Sequence, residues 1–221
     1  MPLSVWQTLG FSWDFVVSLY WDKYPNPQSK HVLTEDVIER RLLPGWKLYT
    51  KRLMVKRSFG SIPGWLRRLI GGARELIVEE SIVDMGSRRF EVVTRNVGTF
   101  TRYATILEYC LYSPSTSVST DTTIFRALHV DVGSNHTLRY PITYFLSRRY
   151  PSKAKSALVG FEWVCQLHKG KTLQTTEGFN HVKVADAIRN AAKTRTREAR
   201  EFASSALPRV VQADTRRLNE N

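Results

Sequence analysis

The side chains of this 221-residue chain that could do covalent chemistry are few and far apart. Its five histidines, His31, His129, His136, His168 and His181, are scattered along the sequence, and a lone histidine is more often structural than catalytic. Cys110 and Cys165 are too few for a disulfide framework or a zinc cluster, and their separation matches no metal-ligand spacing; both read as buried thiols. There is no GxGxxG, Walker loop, HExxH or GxSxG. Glu79 and Glu80 read as charges on a strand face, with nothing to pair them at a reacting centre. The expectation is a protein that is not an enzyme and carries no metal and no cofactor.

Charge is more informative. Lys and Arg number 33 against 20 Asp and Glu, a net charge of +13 with a pI near 10.0, which predicts an anionic partner. Residues 1–136 hold 17 basic and 13 acidic side chains, residues 137–221 hold 16 and 7, so the C-terminal part carries most of the excess. Nucleic acid is not expected: no recognised module is present, and the basic residues of 189–200 fall on a helix as a solvated face. A membrane surface fits better. In Trp65-Leu66-Arg67-Arg68-Leu69-Ile70 the apolar side chains can dip among headgroups while Arg67 and Arg68 meet phosphates. Spanning is not expected, because no apolar run approaches the roughly 20 residues a bilayer requires. The N-terminal residues show neither a secretory signal nor an Arg-rich presequence, the first basic side chain being Lys23, so any organelle entry would use another route.

The elements that must position these groups are mostly strands. Residues 2–11 alternate, and Ser12 caps an aromatic-rich helix from Trp13 to about Lys23, which Pro25 and Pro27 stop. Strands over 30–43 and 46–57 make a hairpin about Pro44-Gly45. Glycines and Pro63 bracket a loop with a helical tip over 58–72. Four more strand-like runs follow near 74–84, 89–97, 103–113 and 122–133, giving a large antiparallel sheet. From about 142 the period changes: Ala154, Ala157, Leu158, Phe161, Val164 and Cys165 fall three or four apart and predict a helix laid on the sheet, which Pro151 either starts or kinks. A linker over 171–181 leads to a basic helix and tail over 182–221.

The run Tyr24-Pro25-Asn26-Pro27-Gln28-Ser29-Lys30-His31-Val32-Leu33-Thr34-Glu35-Asp36 resembles the PRELI-like family of mitochondrial intermembrane-space lipid-transfer proteins. Ser12-Trp13-Asp14, Tyr20-Trp21, Arg52-Leu53, Pro63 to Trp65, Glu80-Ser81-Ile82-Val83-Asp84, Thr94-Arg95-Asn96 and Gly160-Phe161-Glu162 support it. The first motif is specific, the others supportive, and the resemblance covers residues 1 to about 170.

The resemblance implies an α+β fold in which a seven-stranded antiparallel sheet and a long helix enclose a lipid pocket under a loop that acts as lid. Its basic floor would pair the charge of one anionic phospholipid, since a buried phosphate must be paired and hydrogen-bonded. By motif position the headgroup residues would be Lys23, His31, Arg52, Lys56, Arg149 and Lys155, and the lid and membrane-inserting residues Pro63, Trp65, Leu66, Leu69 and Ile70. The implied function is transfer of phosphatidic acid first, phosphatidylserine second, between mitochondrial membranes, in a heterodimer with a small helical twin-CX9C protein. The alternative is the same fold serving as a non-transferring structural subunit of a mitochondrial membrane complex. Three positions depart from the pattern: Pro151 falls within a helix expected to be continuous, Ser61 stands where a basic lid residue is expected, and the helix after 178 lies beyond the shared core.

Overall fold

Segments rich in β-branched and aromatic residues form seven strands that pair antiparallel into one sheet. The computed structural model describes residues 3–57, 64, 74–118, 120–133 and 136–174, with the side chains of 136 and 171–174 excepted. The strands are β1 (Leu3–Leu9), β2 (Val32–Leu43), β3 (Lys47–Arg57), β4 (Arg74–Asp84), β5 (Arg89–Asn96), β6 (Thr105–Pro114) and β7 (Thr122–Asp131). Their spatial order is β1-β7-β6-β5-β4-β3-β2, so β2 to β7 form a meander and β1 closes beside β7. The chain must therefore cross the whole sheet between β1 and β2. It does so through helix α1 (Trp13–Leu19) and two 3-10 turns, Tyr20–Asp22 and Pro27–Ser29, rather than through one helix reaching Lys23.

Successive strand side chains alternate between faces, so the register decides what lies under the long helix α2 (His136–Gln174). One lateral row of that inner face is Arg52, Glu79, Thr94, Glu108 and Leu128; the next is Thr50, Ser81, Val92, Cys110 and Arg126. Two apolar clusters hold α2 to the sheet. Near its C-terminal half, Phe161, Val164 and Cys165 pack with Trp13, Tyr20, Phe90, Tyr112 and Ile124. Near its N-terminal half, Ile142 and Leu146 pack with Phe100, Ala104 and Val132. Trp13 donates its ring N–H to the carbonyl of Tyr112 at 3.1 Å, tying α1 into the larger cluster.

Helix α2 begins before 142 and runs on through Pro141 and Pro151. Pro151 does not start it: a proline costs the helix about 3 kcal/mol, and the apolar stripe that continues on both sides, Leu146 and Tyr150 before it and Ala154 and Phe161 after it, is buried and offsets that cost. Among the described residues no helix is long and apolar enough to cross a membrane. The expected loop and lid residues Ser61, Pro63, Trp65, Leu66, Leu69 and Ile70, and the basic helix and tail over 182–221, lie outside the described residues.

Candidate functional site: a cavity lined by buried charge

Between the two apolar clusters the sheet and α2 enclose a cavity of about 610 Å³. Its apolar wall comes from Ile77, Val92, Ile106 and Leu128 of the sheet and Phe145, Leu146, Ala154, Ala157 and Phe161 of α2. Along α2, Leu146, Tyr150, Ala154, Ala157 and Phe161 fall three or four apart because one stripe both anchors the helix and faces the gap. Lys23, Lys56, Arg126 and Arg149 line it, with Lys30, His31, Arg57, Arg95 and Lys153, against three carboxylates, Glu75, Glu79 and Glu108.

The strongest interactions lie beside and beneath this wall. Arg52 is 2% exposed and donates from Nε and Nη2 to Glu79, at 3.0 and 2.5 Å, and from Nη1 to Glu35 at 2.7 Å. Glu79, equally buried, also accepts from the Tyr20 hydroxyl at 3.0 Å and from Lys23 Nζ at 3.3 Å. Burial works against the Glu79 charge, but Lys23, Arg52 and the Tyr20 hydroxyl outweigh it and hold its pKa down at about 2. Lys23 lies 3.6 Å over the Tyr20 ring; burial brings its pKa down to about 8 although Glu79 opposes the shift. Arg52 stays charged, since Glu79, Tyr20 and Glu35 overcome its burial.

The Asn26 turn places this group. Asn26 is buried; its Oδ1 accepts the backbone N–H of Gln28 at 3.0 Å, and its Nδ2 donates to the carbonyl of Lys23 at 2.7 Å. That turn packs on α2 where Gly160 leaves room: a Cβ there would meet Asn26 Oδ1 at 2.5 Å. Two separate motifs, Asn26-Pro27 and Gly160-Phe161, are thus one contact.

Of the six expected headgroup residues, Lys23, His31, Lys56 and Arg149 line the cavity. Arg52 does not; it lies behind the wall, neutralised by Glu79 and Glu35. Lys155 is exposed outside the wall, and the lysine of α2 that lines the cavity is Lys153, because residues two apart on a helix point to nearly opposite sides. His31 is not a cation near neutrality: burial, then Lys56 and Lys153, push its pKa down to about 4. Lys56 has no carboxylate within 4.0 Å among the described residues, and burial lowers its pKa.

Sequence reasoning missed Glu79, Arg126, Glu108 and Tyr150. Glu79 read as a strand-face charge, yet it is buried on the inner face; its neighbour Glu80 is the outer one, bonded to Tyr49 at 2.9 Å and Lys51 at 3.3 Å. The missed signal is parity: Glu79 shares its side of β4 with Ser81 and Val83, and Arg126 its side of β7 with Ile124 and Leu128.

Sheet, long helix and charged cavity define an α+β protein with an internal cavity. The chain belongs to the PRELI-like family, whose model matches residues 14–171. It is 33% identical over 171 residues to the mouse "PRELI domain-containing protein 1, mitochondrial", covering 76% of this chain and 77% of that one. The human protein of the same name is 32% identical over 171 residues, with 76% of each chain covered. "Protein UPS2, mitochondrial" of Saccharomyces cerevisiae is 30% identical over 162 residues, 72% of this chain and 69% of that one. Among solved structures, TTHA0849 from Thermus thermophilus matches 76% of this chain and 99% of its own at 14% identity and a TM-score of 0.49.

Proposed function

We propose that this protein is a carrier that takes one anionic phospholipid, phosphatidic acid first and phosphatidylserine second, into the cavity and moves it between the outer and inner mitochondrial membranes across the intermembrane space. The observation that carries this reading is Lys56, a half-buried ammonium facing an apolar-walled cavity with no carboxylate within 4.0 Å among the described residues. Partial burial disfavours the charge of Lys56, the carboxylates that attract it stand beyond contact distance, and a phosphate oxygen would supply the close partner. Acyl chains would lie along Ile77, Ile106, Leu128 and Phe145, and binding and release need no covalent step. Peripheral docking on the membrane would use the apolar and basic residues of 63–70, and a small helical twin-CX9C protein would be the soluble partner.

Transfer of labelled phosphatidic acid and phosphatidylserine between liposomes, with the chain co-expressed with such a partner, tests the proposal. Wild type is expected to accelerate exchange of one of the two lipids, and folded Lys56→Glu to lose at least about tenfold of that rate, as removal of a charge-assisted contact implies. A folded wild type that moves neither lipid would replace the carrier with the structural-subunit reading.

A further inference from the structure

The buried charges of the cavity are unevenly paired, and a weakly paired guanidinium sits away from the motif residues. Lys23 and Arg52 have Glu79 and Glu35. Glu108 stands 3.5 Å from Arg126 Nη1, also accepts the Tyr150 hydroxyl at 3.1 Å, and attracts Lys56 together with Glu79 and Glu35. Arg126 is 7% exposed and lines the cavity in the inner-face row that lies farther from Lys56 than the Arg52 row.

Its remaining partners are weak and neutral. Nε donates to Gln7 Oε1 at 3.0 Å, Nη1 lies 3.4 Å from Cys110 Sγ, and Nη2 lies 3.3 Å from the Tyr112 hydroxyl. Burial pushes the Cys110 thiol up to about 12 and the Tyr112 phenol higher still, so neither offers a charge. A guanidinium is a fork made for oxyanions, and here Nη2 faces a phenol while Nη1 faces a thiol and, at 3.5 Å, Glu108. Lys23 marks the opposite side of the same floor. Its ammonium lies over the Tyr20 ring, Tyr20 and Tyr112 stack edge-on with centroids 5.6 Å apart, and Tyr112 reaches Arg126. A headgroup that reaches this floor meets one cation on each side of an aromatic pair.

We propose that Arg126 is a second oxyanion-binding point on the cavity floor and selects headgroups with two anionic charges, a phosphomonoester or a phosphate plus a carboxylate, over those with one. The proposal rests on the carrier reading. A lone phosphodiester engages one cation; a headgroup with two negative charges satisfies both.

The test is competitive uptake. The full chain with its partner is incubated with phosphatidylcholine vesicles holding equal phosphatidic acid, phosphatidylserine and phosphatidylglycerol, and the bound lipid is identified by mass spectrometry. Wild type is expected to enrich phosphatidic acid or phosphatidylserine over phosphatidylglycerol by about tenfold or more, and which of the two is enriched identifies the second anionic group. Arg126→Met is expected to bring that ratio to within about twofold of one while phosphatidylglycerol uptake persists. An unchanged ratio, or an equal loss of all three lipids, would overturn the proposal. If Arg126→Met does not fold, Arg126→Lys keeps the charge and loses the fork; its ratio is expected to fall between the other two, and an unchanged ratio again overturns the role. Uptake of no lipid by wild type would remove the carrier reading itself, whereas uptake with an unchanged ratio removes Arg126 alone.

Discussion

Glu79 keeps its charge in the interior because two cations and a phenol face it, while burial, against the pull of Glu79, leaves Lys23 poised near pH 8. His31 is the opposite case, a base held neutral by burial and by Lys56 and Lys153. A phosphate seated beside Lys56 would reverse the second of those causes. We expect the His31 imidazole, followed by NMR, to titrate near pH 4 in the lipid-free protein and to move upward on lipid uptake; an unmoved midpoint would place the headgroup elsewhere. The sign for stability follows. A histidine whose folded pKa is lowered contributes stability above its unfolded value near 6.5 that is lost as pH falls toward 4. At this scale motif position pointed to Lys23, His31, Lys56 and Arg149, which line the cavity, because it carries residue identity along a strand or turn. Arg52 and Lys155 were misplaced because motif position says nothing of which carboxylate reaches a cation first, or of rotation about a helix axis.

Helix α2 rests on two apolar clusters, and the cavity is the interval between them, so the rigidity of the contacts at its ends governs the size of the site. Gly160 against Asn26 is a close contact with no room for a Cβ. Gly160→Ala is expected to destabilise the fold by about 1–3 kcal/mol in urea unfolding, the range for overpacking a close contact, even though alanine favours helices. Wild-type stability or better would show that the Asn26 turn yields freely. The seven strands and the α2 stripe were legible from periods of 2 and 3.6, within a few residues at each end. The passage of α2 through Pro151 was not, since local propensity argues for a break and only burial of the continuing stripe argues against it. The 3-10 turns between α1 and β2 were hidden for a related reason: their aromatic run looks helical, and the Asn26 hydrogen bonds that redirect the chain are local.

For the whole molecule, the charge of +13 predicts an anionic partner without saying where it binds. The fold answers part of that question. It turns cations toward a cavity with apolar walls, where each is worth more than on the open surface because the local dielectric is lower. That enclosure was illegible in sequence, since a cavity is a distance between packed clusters rather than a pattern along a chain. Native mass spectrometry of the full chain with its partner, after incubation with vesicles containing phosphatidic acid and phosphatidylserine, tests the central claim most directly. The account predicts one phospholipid per chain in wild type and none in a folded Lys23→Glu, Lys56→Glu double variant. An empty wild type, or a double variant that still carries its lipid, would contradict it.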